Sequence, residues 1–192
     1  SQRSTPPHII FASPNIPNPE VYLQLIPDVA NRENYKIATK FSPVNQEKFL
    51  IDFECFELHY YNEATQKLTK YCSFPEDKGL LDFVHELGES ARSIVYSNSK
   101  DNVVEYALQY ATQLQPLHDS DLDVLAQDIR QDVHGDYYLA DIVEKGVAYH
   151  MGYLPSTIRA RIESLYKDGK IHTLFCTSTL LEGVNLPADN LF

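Results

Sequence analysis

The 192-residue sequence contains no Trp, one Met and only three Cys. Cys55, Cys72 and Cys176 are widely spaced and include no Cys-x-x-Cys pair. This spacing argues against a disulfide framework or a zinc site and favours a reducing compartment. The seven His are scattered and lack the i, i+4 spacing with Glu that is typical of a helical metal site. The composition therefore predicts no bound metal.

Long apolar runs are also missing. No window reaches the roughly 18 continuous apolar residues of a membrane span, and no charged-then-apolar segment opens the chain as a secretion signal would. We therefore expect a protein that is neither secreted nor membrane-bound, located in the cytoplasm or associated with the nucleoid. A hydrophobic share of 43% is enough for a core, and the length fits one domain with an arm or insertion.

Positive charge is scarce, since the formal net charge is −11. This total disfavours nucleic-acid binding, because affinity for phosphates comes from Lys and Arg. The charge is uneven, however: residues 117–136 hold six Asp and one Arg, whereas residues 158–170 hold Arg159, Arg161, Lys167 and Lys170. A local basic face is compatible with a negative total.

The segment KIHTLFCTSTLLEGVNLP, residues 170–187, predicts a buried strand that ends in polar residues. Ile171, Leu174 and Phe175 supply its apolar bulk, and the hydroxyls of residues 177–179 follow. Such an ending is usual for a site at the carboxyl edge of an α/β sheet, where hydroxyls and backbone N–H groups bind phosphate oxygens. The alternative is an ordinary strand and helix in which Thr and Ser only cap the helix.

The first half of the chain predicts an arm and a hairpin. Residues 1–31 are proline-rich, with a strand-like run at 8–12 and a short helix around 20–25, and a further short strand is predicted at 35–39. Residues 49–74 are rich in Phe, Tyr and Ile and are interrupted at 62–63, which predicts a two- or three-stranded antiparallel hairpin. We expect its aromatic residues to be mainly core filling, with base stacking by Tyr60 or Tyr61 as an alternative.

From residue 78 the pattern predicts alternating helices and strands. Helices are expected around 80–91, with Gly88 at the fraying end, and around 103–114, 120–133, 137–144 and 155–168, with Ser120 and Asp123 as a capping box for the third. Gly146 and Gly169 end two of them. Short strands are expected at 94–96, 147–149 and 171–176, and such connections imply a parallel sheet with helices on both faces. The loops at 97–99, 150–154 and 177–185 then leave one edge of the sheet.

Three segments of this region resemble motifs of superfamily 2 helicases. TSTLLEGVNLPA, residues 177–188, is similar to motif V in the superkiller-like branch, which reads T-x-T-L-x-x-G-V-N-L-P-A. VAYHMGYLPSTIRARIE, residues 147–163, resembles motif IVa, and IVYSNSKDNVVEYA, residues 94–107, resembles motif IV. The three occur in the order of the family. FASPNIPNPEVYL, residues 11–23, stands where motif III is expected, but Ser13-Pro14-Asn15 departs from its Ser-Ala-Thr.

The resemblance implies the second RecA-like domain of a DEAD/DEAH-box-type DNA or RNA helicase. The fold class is then α/β: a P-loop NTPase-type three-layer α/β/α domain over residues 32–192, with the hairpin as an insertion and residues 1–31 as an arm from the end of the first RecA-like domain. In the family the three motifs hold the phosphates of one strand, and motif V also faces ATP. The residues carried over are Ser97, Asn98, His150, Gly152, Thr177 and Thr179 for nucleic acid, and Glu182, Gly183 and Asn185 for the nucleotide.

Other family motifs are missing from the sequence. There is no Gly-x-x-x-x-Gly-Lys-Ser/Thr to bind phosphates and no Asp-Glu-x-His for magnesium, and the chain ends before the arginine-finger motif VI. We therefore expect ATP and Mg²⁺ to act only in the full-length protein, with the first RecA-like domain and single-stranded nucleic acid as partners. A dimer swapped through residues 8–12 is a further expectation for the isolated chain.

Two other readings stay open. One is an acidic α/β scaffold for protein partners, favoured by the net charge, the aromatic hairpin and the acidic helix after Ser120. The other is a different α/β nucleotide enzyme, which would need a phosphate loop that the sequence lacks. Helix capping by Ser97 and Asn98, and a core role for His150, are the alternatives for those residues.

Overall fold

The computed structural model describes residues 21, 46–88, 91–135, 137–180 and 186–192. The chain divides into two compact units, Ser1–Lys48 and Phe49–Phe192. The elements predicted at 8–12, 20–25 and 35–39, and the motif III-like segment at 11–23, lie outside the described residues, apart from the exposed Val21. These predictions, the domain boundary at residue 31 and the swapped dimer therefore remain predictions.

Two sheets and five helices make up the described part of the chain from Lys48 onward. The strands are β1 (Lys48–Asp52), β2 (Glu57–Asn62), β3 (Lys67–Ser73), β4 (Ser93–Tyr96), β5 (Val147–His150), β6 (Thr173–Cys176) and β7 (Asn190–Leu191). The helices are α1 (Leu80–Gly88), α2 (Lys100–Ala111), α3 (Ser120–Asp132), α4 (Tyr138–Val143) and α5 (Ser156–Lys167). The alternating pattern after residue 78 is thus confirmed, whereas β7, which is only two residues long, was not predicted.

The second sheet is parallel and has the strand order β5-β6-β4-β7. In its register, the Cα atoms of Tyr96 and His150 both pair with Cys176, so that β4, β6 and β5 end at the same level. The strands read as continuous apolar runs because the sheet is covered by helices, as parallel sheets are. All residues of β5 and β6 are buried.

The connections between these strands determine where the helices lie. The chain moves from β4 across β6 to β5 through α2, α3 and α4, and returns from β5 to β6 through α5. Because crossovers between parallel strands are right-handed, the crossover through α2 and α4 and the return through α5 lie on opposite faces of the sheet. Helix α3 packs against both α4 and α5 and so does not cover one face alone. This three-layer α/β arrangement is the one expected for a RecA-like domain.

The helices bury the faces that their periodicity predicts. Helix α2 buries Val103, Ala107, Tyr110 and Ala111; α3 buries Leu122, Leu125, Ala126 and Ile129; α5 buries Ile158, Ile162 and Tyr166. The predicted capping box is wrong by one residue, since the N-cap of α3 is Asp119, whose Oδ1 accepts hydrogen bonds from the backbone N–H groups of Asp121 and Leu122. A carboxylate satisfies these N–H groups and also complements the helix dipole.

The hairpin is a three-stranded sheet in the order β1-β2-β3, and its β2 and β3 are antiparallel. One end is attached to the domain core through edge-to-face contacts of Phe53 and Phe74 with Phe83 of α1. The rest of the sheet is open: every residue of β3 is exposed, and Phe49 and Tyr71 are 44% and 69% exposed. The expectation that its aromatic residues mainly fill the core is therefore wrong for this part of the hairpin.

Candidate nucleic-acid interface

The carboxyl ends of β4, β6 and β5 lie side by side and place three loops at one edge of the sheet. The N–H of Ser97 donates to the carbonyl of Cys176 at 3.0 Å, which joins the first and third loops directly. Neighbouring strands are about 4.8 Å apart, so the three loops lie within roughly 10 Å of one another. The predicted convergence of the loops is confirmed for their described residues.

The loop after β4 presents one half-buried and one exposed polar residue, Ser97 and Asn98. The helix that follows is capped by Ser99, whose Oγ accepts from the N–H of Asn102 at 3.3 Å. Ser97 Oγ accepts from the N–H of Ser99 at 3.3 Å, and the Tyr96 hydroxyl donates to Asn98 Oδ1. The alternative in which Ser97 and Asn98 cap α2 is therefore wrong, since the N-cap is Ser99, and Asn98 is exposed.

The loop after β5 differs from the prediction in which of its residues face outward. His150 is only 1% exposed, and its Nε2 lies 2.8 Å from Glu163 Oε1 of α5. Gly152 and Tyr153, in contrast, are exposed. A direct contact between the His150 ring and a ligand stays a prediction, and in this structure the ring is enclosed by the protein.

Tyr153 is a candidate that the sequence reasoning missed. The residue is 56% exposed, and its side chain forms a hydrogen bond with Tyr137. Burial and this hydrogen bond both raise the pKa of Tyr153, and burial raises the pKa of the neighbouring Tyr149, so both remain neutral phenols. The available signal was an aromatic residue directly after Gly152 at the end of a predicted strand.

The loop after β6 begins with Thr177, which is 6% exposed, and continues into the 3₁₀ turn Ser178–Leu180. Ser178 is exposed, and the N–H of Leu180 donates to the carbonyl of Thr177 at 3.1 Å. The backbone of Thr179 belongs to this turn, but its side chain lies outside what the structure describes. The same holds for the whole of Glu182, Gly183 and Asn185, whose predicted role toward a nucleotide is thus untested.

Several Asp side chains of the acidic segment 117–136 form ion pairs within the fold. Asp128 of α3 pairs with Arg161 of α5, and Lys170 Nζ lies 2.8 Å from Asp119 Oδ2 and 2.6 Å from Asp121 Oδ2. Two of the four basic residues at 158–170 are therefore engaged by the acidic helix α3. These pairs make the surface around α3 less negative than the sequence suggests, and they also leave the predicted basic face with less unpaired positive charge.

The described residues contain no group of three or more His, Cys, Asp or Glu arranged to hold a metal ion. None of the helices in the same part of the chain is both long enough and apolar enough to cross a membrane.

Burial raises the pKa of the Cys176 thiol, which lies beneath the three loops, to about 11, so this group is a packed thiol and not a thiolate ligand.

Comparison with characterised proteins returns helicases. The chain is 26% identical over 189 residues to the ATP-dependent DNA helicase Hel308 of Methanococcus vannielii, which covers 93% of this chain and 24% of that protein. Its identity to Hel308 of Caldivirga maquilingensis is 24% over 192 residues, covering 95% of this chain and 24% of the relative. These relatives support a helicase family.

A helicase from yeast is also similar, over a shorter part of the chain. The RQC trigger complex helicase SLH1 of Saccharomyces cerevisiae is 30% identical over 122 residues, or 59% of this chain and 6% of that protein. No family model matches the chain. Because the chain spans at most 24% of the length of these three relatives, their whole-protein activities do not transfer to it directly.

Proposed function

We propose that this chain is part of an ATP-dependent helicase or translocase of superfamily 2, and that it forms the second RecA-like domain. In this role the edge made by the loops after β4, β5 and β6 holds the phosphate backbone of one nucleic-acid strand. The observation that carries the proposal is the register in which Tyr96, Cys176 and His150 end their strands together. The relatives named as helicases are consistent with it.

The groups at this edge suit phosphate binding by uncharged hydrogen-bonding groups. Its outward groups are the Asn98 amide, the Gly152 backbone and the Ser178 hydroxyl, with Ser97 and Thr177 partly or largely covered. Hydroxyls, amides and backbone N–H groups position a strand without reading its bases. Phosphate binding by uncharged groups is easier to reconcile with a net charge of −11 than a site that depends on many Lys and Arg.

The nucleotide part of the proposal depends on sequence alone. Glu182, Gly183 and Asn185 follow Thr177 closely in the sequence, so a single segment would face both the strand and the ATP. Contact with both ligands would allow hydrolysis to alter the grip on the strand, because coupling between two sites is reciprocal. ATP with Mg²⁺ would supply the free energy for stepping, and the first RecA-like domain would supply the phosphate loop that this sequence lacks.

The decisive experiment is a titration of labelled single-stranded DNA and RNA with the 192-residue chain at low and physiological salt. We expect weak, salt-sensitive binding that Thr177→Val and Asn98→Ala each weaken about tenfold, because a hydrogen bond to a charged group contributes about 1.5–3 kcal/mol. Thr69→Val, on the exposed β3, is the control and should bind as the unchanged chain does. The names of the Hel308 relatives make DNA the first substrate to test.

Phosphate release provides the matching negative test. The chain alone should not turn over ATP with or without nucleic acid, since it has no Gly-x-x-x-x-Gly-Lys-Ser/Thr segment. Steady turnover by the purified chain would contradict the assignment of the missing catalytic groups to another domain.

A protein-interaction scaffold is the second candidate. It is favoured by the open hairpin, where Phe49, Leu68 and Tyr71 are 44%, 50% and 69% exposed. Failure of the chain to bind DNA or RNA even at low salt would favour this candidate. The internal pairing of α3 with Arg161 and Lys170 makes the acidic helix a weaker argument for it than the sequence suggested.

A further inference from the structure

The least expected group in the candidate interface is the buried imidazole of His150. It is the last residue of β5 and is 1% exposed, whereas the sequence resemblance predicts a nucleic-acid contact. Its Nε2 lies 2.8 Å from Oε1 of Glu163, and its Nδ1 is buried without a hydrogen-bond partner among the described residues. The ring therefore acts inside the protein, toward α5.

Such a pair is poorly explained as a contribution to stability. Burying an imidazole and a carboxylate requires both to lose water, and well-packed apolar residues of the same volume are often equally or more stabilising. Glu163 keeps 21% of its side chain exposed, and the Nδ1 of His150 finds no hydrogen-bond partner among the described residues, so within them the desolvation is incompletely compensated. Specific geometry is the property that this pair supplies and that apolar packing does not.

The His150–Glu163 pair links the two ends of the loop after β5. His150 stands at the start of this loop, and Glu163 lies on the second turn of α5, the helix that the loop enters. Within the loop, Met151 and Leu154 are 0% and 3% exposed, and the N–H of Leu154 donates to the carbonyl of Met151 at 3.1 Å. Only the residues between them, Gly152 and Tyr153, are exposed.

We propose that Glu163 is a positioning residue, which through His150 fixes the conformation in which Gly152 and Tyr153 face the nucleic-acid strand. This inference rests on the proposed function of the sheet edge formed by the loops after β4, β5 and β6. It assigns His150 an indirect role: the ring orients the loop, and the exposed pair makes the contact. Glu163 lies 13 residues after His150 and carried no signal of its own in the sequence.

The test compares Glu163→Ala and Glu163→Gln in the 192-residue chain. The Gln variant keeps a side chain that can hydrogen-bond to a neutral imidazole, whereas Ala removes the partner. Glu144→Ala is the matched control, because it removes a similarly exposed carboxylate, 31% against 21%, from a pair with Arg130. Three quantities are measured: amide exchange at residues 152–153, the ¹⁵N shifts of the His150 ring, and affinity for single-stranded DNA.

Glu163→Ala should accelerate exchange at residues 152–153 about tenfold, shift the His150 ring resonances and weaken DNA binding by a similar factor. Glu163→Gln should restore most of the exchange protection and affinity, and Glu144→Ala should change neither. Unchanged exchange and ring shifts in Glu163→Ala would overturn the inference. The same holds if exchange accelerates while a measurable DNA affinity stays constant.

The proposed function can fail separately. If the unchanged chain binds no DNA or RNA, the strand-holding function fails, while exchange and ring shifts still report whether Glu163 fixes the loop. If the unchanged chain binds and both Glu163 variants weaken binding equally without rescue by Gln, the positioning role is overturned and the strand-holding function stands.

Discussion

Strands β6 and β3 are contrasting products of one chain. All four residues of β6 are buried, whereas all seven residues of β3 are exposed. Strand β6 lies between β5 and β4 in a parallel sheet covered by helices, and β3 is the edge of a three-stranded hairpin. The contrast teaches that the layered sheet, and not the open part of the hairpin, is the close-packed part of the described chain.

The largest effect that can test this contrast is loss of core packing. Leu174→Ala in β6 should lower the free energy of unfolding by about 2–5 kcal/mol, because it leaves a cavity in a close-packed interior. Leu68→Ala in β3, where the side chain is 50% exposed, should cost about 0.5 kcal/mol or less. Urea unfolding of the two variants measures both values, and equal losses would contradict the contrast.

Two turns with left-handed backbone provide the next comparison. Gly146, before β5, has φ +74°, and a Cβ there would lie 2.8 Å from Leu117 Cδ1 and 3.2 Å from the Lys170 carbonyl. Gly146→Ala should therefore destabilise the domain by about 2 kcal/mol, since strain adds to the overlap. Gln66 in the hairpin turn has φ 54°, and Gln66→Gly should instead stabilise by up to about 1 kcal/mol. Thermal unfolding distinguishes the signs.

The ion pairs of the two regions should respond to acid in the same direction but by different amounts. Lys170, with the backbone N–H groups of α3, holds the pKa of Asp119 below its usual value, and Lys70 does the same for Glu57 in the hairpin. A carboxyl whose folded pKa is lowered contributes stability above its unfolded pKa and loses it as pH falls through the folded pKa. Asp119→Ala should therefore lower Tm at pH 7 and have little effect at pH 2.

Glu57→Ala should lower Tm less than Asp119→Ala at pH 7, because Glu57 forms a surface pair and caps no helix. The check is the difference in Tm between each variant and the unchanged chain, measured across the acid range. A Tm difference for Asp119→Ala that grows on acidification would contradict the assigned direction.

The smallest effect is on reactivity rather than stability. Burial raises the pKa of Cys176 to about 11, and this thiol should resist alkylation until the domain unfolds. Cys72 and Cys55 of the hairpin are exposed and should react in the native state, with Cys55 slowed because the Asp52 carboxylate raises its pKa. Mass spectrometry of the labelled chain, with Asp52→Asn as the variant that accelerates Cys55, tests this order.

The sequence predicted the layered sheet because its elements are encoded by local pattern. Leu174 and Phe175 lie in a short apolar run, and Val103, Ala107 and Tyr110 recur at helical spacing. Strand β7 was missed because two residues carry no period. The N-cap of α3 was misplaced because Ser120 and Asp119 are both good caps and only the folded backbone selects between them.

Burial at the interface was harder to predict because it depends on distant residues. His150 ends a strand, and no local pattern shows that Glu163 occupies the space beside it. Lys170 and Asp119 are 51 residues apart, so the neutralisation of the basic segment was equally hidden. In the hairpin, Phe49 and Tyr71 are of types that usually fill a core, yet they are 44% and 69% exposed, and no described helix covers this part of the sheet.

The most direct test of the account maps a bound strand onto the two regions. In ¹H–¹⁵N spectra of the 192-residue chain, added single-stranded DNA or RNA should shift the amides of residues 97–98, 152–153 and 177–178 together, with one dissociation constant. Those of residues 57–73 in β2 and β3 should stay in place. Shifts confined to the hairpin, or scattered without the three loops, would contradict the claim that this edge of the sheet holds the strand.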